Sequence, residues 1–386
     1  MLTIVPSNGS MLEAPKSGKM KHVSTLIVVG ILGFGQINFN LEGSRMKLLI
    51  DISHPAHVHF FKYAYQIWME HGHDIKVVSR DKDITLQLMR EYGIPNQVLS
   101  KVRTGFWGLS LELLEHASKL WGVTRKFKPD VMMNIGGAFI VHVGKLLGIK
   151  TVVFYDTEHA KMSNTITYPF ASYICTPSCY LFDLGKKHVR YEGYQELAYL
   201  HPDYFKPNPA VLEEAGISPD EKFFVVRFIS WASSHDMGQA GFSYEDKLRL
   251  VTELAKEGRV IITSESPLPA ALEPFRLSIS PTKMHDLLYY AHLYIGESAT
   301  MASESAILGT PSIHVNTTPA YGYIKELVEK YGLVYRFVHS EQAIAKALAI
   351  AADSGYQAGK TAQHQQLLLD KIDVTAWVVE FVESLG

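Results

Sequence analysis

The chain has 386 residues, 47% of them hydrophobic and 20% charged, and its 37 lysines and arginines nearly cancel its 39 aspartates and glutamates. That length exceeds one ordinary core and predicts two domains of about 150 to 200 residues. The apolar fraction excludes a disordered chain, and the balanced charge excludes an electrostatic footprint for nucleic acid. Two cysteines, Cys175 and Cys179, form a lone C-x3-C pair; this is poor evidence for zinc and fits a reducing, cytoplasmic setting better than a disulfide scaffold.

Residues 1–45 read differently from the rest. Lys16, Lys19 and Lys21 precede the apolar run Leu26 to Phe34, which resembles a signal-peptide core but is too short and glycine-broken to span a bilayer. We read it as an extension outside the fold, with membrane attachment as the lesser reading. The α/β pattern begins at Met46. Lys47 to Ile52 is a buried strand, followed by a helix to about Glu70 that Gly72 closes. A strand from Asp74 to Ser79, a helix from Ile84 to Tyr92, an extended piece near Val98 and a long amphipathic helix from about Leu109 to Lys126 come next. Strand Asp130 to Asn134, helix Phe139 to Leu147, strand Thr151 to Tyr155, and strands Tyr173 to Thr176 and Val189 to Tyr191 complete a first domain over 46–200. Such alternation predicts a doubly wound parallel sheet.

Residues 201–220 have linker composition. The pattern then restarts over 221–370: strand Phe223 to Phe228, helix Tyr244 to Glu257, strand Arg259 to Thr263, helix Met284 to Ala291, then the segment Ala291 to Asn316. That segment reads as strand Leu293 to Ile295, a small polar turn, helix Met301 to Leu308, Gly309 as its stop, and a strand from Ser312. Helix Ile324 to Tyr331, strand Val334 to Val338, helix Glu341 to Ala352 and an apolar terminal helix within 371–386 follow.

In doubly wound sheets ligands collect at the carboxyl ends of strands, so the residues there are the candidates. Ser298, Ala299 and Thr300 open a helix, where unpaired N–H groups and the helix dipole favour phosphate oxygens. Glu304, about one and a half turns further on, lies within reach of the two hydroxyls of an attached ribose. The alternative is an ordinary capped helix with a solvated glutamate. His54, His57 and His59 follow the first strand. No carboxylate or cysteine accompanies them at ligand spacing, so a neutral imidazole serving His57 or His59 as general base is a better use than metal binding. Asp156, Thr157, Glu158 and His159 follow the fifth strand, too polar a run to bury for packing alone. Arg227 ends the first strand of the second domain with a fork suited to a diphosphate, or to a neighbouring carboxylate; Ser233, Ser234, His235 and Asp236 lie beyond it. Glu265 after the next strand, and His285 before its helix, are weaker candidates.

Ser298, Glu304, Gly309 and Pro311, in the order S-x5-E-x4-G-x-P, resemble the nucleotide-binding segment of GT-B glycosyltransferases and UDP-N-acetylglucosamine 2-epimerases, although Ala299 and Thr300 stand where the epimerases usually carry Gly-Gly. With DISHPAHVHFF, DTEHA, YEGYQELAYLHP, RFISWASSHDMG and GESATMASESAILGTP, the chain from Met46 onward resembles domain-of-unknown-function family three-five-four, itself similar to GT-B enzymes. The resemblance implies a GT-B-like fold: two Rossmann-type domains facing across a cleft, with the C-terminal helix crossing back onto the first. It implies a donor, a UDP-sugar, held by Arg227, Glu265, Ser298, Ala299, Thr300 and Glu304. It implies an acceptor, a glycan or lipid-linked hydroxyl, presented to His57, His59, Glu158 or His159, at the membrane surface if the acceptor is lipid-borne. The sugar nucleotide is then substrate, with no separate cofactor or metal. Two alternatives stay open: a sugar-nucleotide epimerase, against which the absent arginine-containing first loop counts, and a non-catalytic sugar-nucleotide binder.

Overall fold

The structure is a computed structural model and describes residues 45–103, 105–229, 241–264, 267–353 and 361–386. Residues 1–44 of the N-terminal extension, the segment Ser230 to Gly238 and Glu265 lie outside the described residues.

The first half runs β1 (Lys47–Ile52), α1 (Pro55–Glu70), β2 (Asp74–Asp81), α2 (Thr85–Glu91), β3 (Gln97–Lys101), α3 (Gly105–Phe127), β4 (Val131–Ile135), α4 (Ile140–Leu147), β5 (Lys150–Phe154), α5 (Lys161–Thr167), β6 (Tyr173–Pro177), β7 (His188–Tyr191) and α6 (Leu197–Leu200). After α7 (Ala210–Glu214) come β8 (Phe223–Phe228), α8 (Tyr244–Leu254), β9 (Arg259–Ser264), α9 (Met284–Tyr290), β10 (Leu293–Gly296), α10 (Ala299–Ile307), β11 (Ser312–Val315), α11 (Gly322–Glu329), β12 (Val334–Phe337), α12 (Ser340–Ala352), α13 (Ala362–Asp370) and α14 (Val374–Glu383).

Among the described residues the strands form two parallel sheets, ordered β3-β2-β1-β4-β5-β6-β7 and β12-β11-β10-β8-β9. The near-continuous apolar runs LLIDI, FFVV and VII explain why: strands covered by helices on both faces must be apolar on both. The chain reverses its direction of sheet growth between β1 and β4 and again between β8 and β10. At such switch points the loops part and leave a crevice beyond the strand ends. Thus His54, following β1, and Arg227 and Ser298, at the ends of β8 and β10, are placed where a ligand can enter.

The terminal helix α14 packs on α1 and α6 of the first half, the crossing expected of a GT-B-like fold. Phe381 meets the Tyr173 ring edge-on at 5.5 Å, and Glu383 Oε1 accepts from His71 Nδ1 at 2.7 Å and His73 Nε2 at 2.9 Å. Met46 N donates to His73 Nδ1 at 3.1 Å, so a neutral His73 carries its proton on Nε2 and gives it to Glu383. That tautomer has no lone pair left for a metal, and the cluster is a latch for α14.

Three features differ from the sequence reading. The segment read as linker contains α7, whose Val211 and Leu212 are buried in the main core, because Pro209 starts a short helix with its apolar side inward. Helix α3 starts at Gly105, ahead of the expected Leu109. It also turns polar groups inward: Glu112 accepts from Arg80 and from Arg103 N (2.9 Å), while His116 lies between Ser100 Oγ (2.8 Å) and Asp51 Oδ2 (3.2 Å). Hydrogen-bonded partners offset the desolvation of these buried groups.

Candidate functional site

Between the carboxyl ends of the two sheets lies a cleft with two adjoining cavities. One, of about 320 Å³, is lined by His54, His57, Asp156, Glu196, Ser298, Ala299 and Thr300 among others. The second, of about 350 Å³, shares His54, Ser298 and Thr300 with it and adds His59, Arg227, Thr263, Ser264, His285 and Glu304.

The wall of the second sheet is built locally. β10 ends at Gly296, where a Cβ would stand 2.6 Å from Tyr294 Oη and 2.8 Å from the Arg227 carbonyl, so only glycine lets the two strand ends close up. The buried Glu297 accepts from Ile229 N (2.9 Å) and Phe242 N (2.7 Å), fastening the chain on both sides of residues 230–240. Ser298 then caps α10, its Oγ accepting from Met301 N at 3.3 Å. The first-turn amides of Ala299 and Thr300 have no helical carbonyl four residues back, which leaves a partly positive helix end on the cleft.

Glu304 is buried yet lines the second cavity. Its Oε1 accepts from Tyr199 Oη at 2.8 Å and lies 3.0 Å from His285 Nε2, so both hold the carboxylate in one rotamer. Tyr199 belongs to α6 of the first half, making this a contact across the cleft floor. Lys62, buried beside the Tyr63 and Tyr92 rings at 4.6 and 4.7 Å, has its pKa lowered to about 8 by burial, against the opposing pull of Asp286 and Glu304.

The wall of the first sheet comes from three separate loops. His54 caps α1, Nδ1 accepting from Ala56 N at 3.2 Å. Much of its ring is reachable from the cleft, yet the surrounding protein, and then Lys82, Arg80 and Arg227, lower its pKa to about 3. His57 and His59 line different cavities and are therefore not brought together. Burial holds both well below the ordinary imidazole value. His59 packs edge-on to His285 at 4.7 Å, with its Nδ1 3.3 Å from Tyr92 Oη. Both rings are neutral, as a base must be, and weakly basic.

After β5 the site residue facing the first cavity is Asp156. Burial raises its pKa to about 6; the Thr157 hydroxyl, donating to Oδ1 at 2.9 Å, opposes this and the Glu158 charge adds to it. Glu158 instead reaches across to the start of α11, its Oε1 accepting from Gly322 N at 2.9 Å and Leu181 N at 3.3 Å. His159 leans on the Tyr321 ring at 5.4 Å. Neither lines the two cavities among the described residues.

Glu196 is the residue the sequence reading missed. It is buried, its Oε2 makes no hydrogen bond, and burial followed by the Asp156 charge raises its pKa well above the carboxylate range. Two carboxyl groups with raised pKa therefore share the first cavity opposite the α10 tip. The signal lay in YEGYQELAYL, where the second of two acids, Glu196, opens the apolar run LAYL a few residues after a strand.

No helix among the described residues is long and apolar enough to cross a membrane. The chain is similar in structure to the UDP-GlcNAc 2-epimerase of Methanocaldococcus jannaschii, with a TM-score of 0.61 at 14% identity over 88% of this chain and 100% of that one. It is similar also to the Streptomyces sp. SF2575 glycosyltransferase SsfS6, complexed with thymidine diphosphate, with a TM-score of 0.57 at 12% identity over 88% and 100%. At such identities the likeness shows the fold, a GT-B-like pair of α/β domains. In sequence it is 25% identical over 308 residues to the uncharacterized protein MJ0665 of the same Methanocaldococcus, covering 75% of this chain and 88% of that one. A family model matches residues 46–376, nearly all of the two-sheet body, and by that match the chain belongs to the family described as Protein of unknown function (DUF354).

Proposed function

We propose that this protein is a GT-B nucleotide-sugar enzyme that moves a sugar from a UDP-like donor to an acceptor hydroxyl. The observation that carries the reading is that the α10 tip and Glu304, about one and a half turns apart on one helix, open on the same interdomain cleft. A diphosphate on Ser298, Ala299 and Thr300 directs its ribose toward Glu304, whose Oε2 is free of the Tyr199 and His285 bonds that occupy Oε1. Arg227, on the wall of the same cavity, adds a fixed cation for charge developing on the departing diphosphate. Together they supply the stabilisation a transfer needs, so the reading invokes no metal.

The acceptor is taken to enter from the side of His54 and Asp156. With a pKa of about 6, Asp156 is ionised at neutral pH and still basic enough to take a hydroxyl proton in the transition state, which makes it a better base here than His57 or His59. Glu196, kept protonated, is a proton donor in the same cavity. That pair also supports a second reading, sugar-nucleotide epimerisation, in which one carboxyl removes a proton that the other group returns.

Calorimetric titration with UDP, UDP-hexoses and UDP-N-acetylhexosamines tests the shared claim, and failure of every one to bind overturns it. A product assay then divides the two readings. UDP released only when an acceptor is present supports transfer, whereas isomerised sugar without acceptor supports epimerisation.

A further inference from the structure

Helix α3 departs from the rule that a surface helix buries its apolar stripe. The network of Asp51, Ser100, Arg80 and Arg103 draws Glu112 and His116 inside, at 1% and 0% exposure, and Leu109, Leu111, Leu113 and Leu114 are left outside. Trp107, Leu111 and Leu114 are 79%, 54% and 67% exposed, and at 100° per residue they fall on one stripe. Leu109 and Leu113 lie on the face that further along buries Leu120, yet they too are exposed, so the first turns of the helix overhang the sheet.

Beyond Leu114 the same stripe continues through Ser118 and Gly122 to Arg125, all exposed. Beside it runs a groove lined by Lys47, Lys76, Lys119 and Lys126. One end of the helix is thus apolar with a tryptophan, and the other is basic. A second copy is a poor occupant: in a two-fold pair the stripe meets itself, setting basic half against basic half or cations against leucines. A layer that offers hydrocarbon and negative charge side by side satisfies both halves at once.

We propose that the outward stripe of α3 docks on an anionic lipid surface, with Trp107, Leu111 and Leu114 entering the headgroup boundary and the lysine groove facing lipid phosphates. Because α3 begins at the carboxyl end of β3, the docked turns lie at the same end of the first sheet as His54 and Asp156. The acceptor class this favours is a hydroxyl or phosphate carried on a lipid. That last step rests on the transfer reading above; vesicle binding does not, so either can fail alone.

The test is co-sedimentation of the full chain with vesicles of neutral phosphatidylcholine, with and without added phosphatidylglycerol. The expected result is binding that needs the anionic lipid, weakens with salt, and falls about tenfold or more both in Leu111→Ser/Leu114→Ser and in Lys119→Glu/Lys126→Glu. All four positions face outward or line a surface groove, and unchanged thermal melting of the variants checks that the fold is kept. Should the leucine pair disturb folding, the lysine pair decides alone. Absence of vesicle binding, binding unchanged in the variants, or a dimer that the leucine variant dissociates without any lipid binding would each overturn the proposal.

Discussion

One wall of the cleft takes Ser298, Thr300 and Glu304 from a single helix, held by its own cap and by one glycine at the end of its strand; the other assembles His54, Asp156 and Glu196 from loops after β1, β5 and β7. In the first wall the Ser298 cap and the Tyr199 and His285 contacts to Glu304 fix the groups in place. The second carries groups whose protonation burial has altered: imidazoles made less basic and carboxyls made more so. Under the proposed function the contrast is a division of labour, with a helix end and a clamped carboxylate for binding on one side and displaced proton affinities on the other.

The largest expected effect tests the proton-handling wall. Asp156→Asn and Glu196→Gln should each lower turnover by about 10²- to 10⁴-fold while donor affinity stays within a few-fold. Steady-state kinetics beside calorimetry checks this, and a collapse of affinity at constant turnover would exchange the roles of the two walls. On the binding wall, Glu304→Ala should weaken UDP by about 10- to 100-fold but leave inorganic pyrophosphate, which has no ribose, nearly unchanged. Equal loss for both ligands would mean that Glu304 only supports the helix.

Gly296→Ala forces a methyl group to within 2.8 Å of the Arg227 carbonyl and should cost about 1–3 kcal/mol in denaturant unfolding, separating the strand ends that set the site. The pH dependence of stability offers a smaller signal of opposite sign. Asp156 ionises in the folded state only above about pH 6, against an ordinary 3.8, so burial of its charge destabilises the protein above pH 6 and ceases to do so below about pH 4. Asp156→Asn should therefore stabilise the protein on the order of 1 kcal/mol at pH 7.5, with the gain vanishing toward pH 4 in thermal melts. Smallest of all, Tyr199→Phe removes one of two donors to Glu304 Oε1 and should weaken UDP about fivefold by calorimetry. No change would show that His285 alone holds the carboxylate.

The readability of the two walls differed in the same way. Ser298 to Pro311 could be read because capping, helix spacing and the glycine stop are local rules that act within a few residues. Glu158 and His159 drew notice in the run DTEH, but which of four adjacent polar side chains turns to the cavity depends on the neighbours it finds. Gly322, far along the chain, takes Glu158 and leaves the cleft to Asp156. Glu196 carried a faint signal as an acid opening an apolar run, and its meaning came from its burial and then from the charge of Asp156 beside it.

The sequence by itself determined the strands, the helices and their alternation, since hydrophobic period and end signals act along the chain, and it determined the capped helix α10 for the same reason. Tertiary structure alone decided that α3 turns Glu112 and His116 inward and four of its leucines outward, that Val211, Leu212 and Ile217 of residues 201–220 join the core, and which carboxyls hold displaced protons. Burial and charge are properties of what surrounds a group in space, and for these groups the surroundings come from segments far apart in the chain.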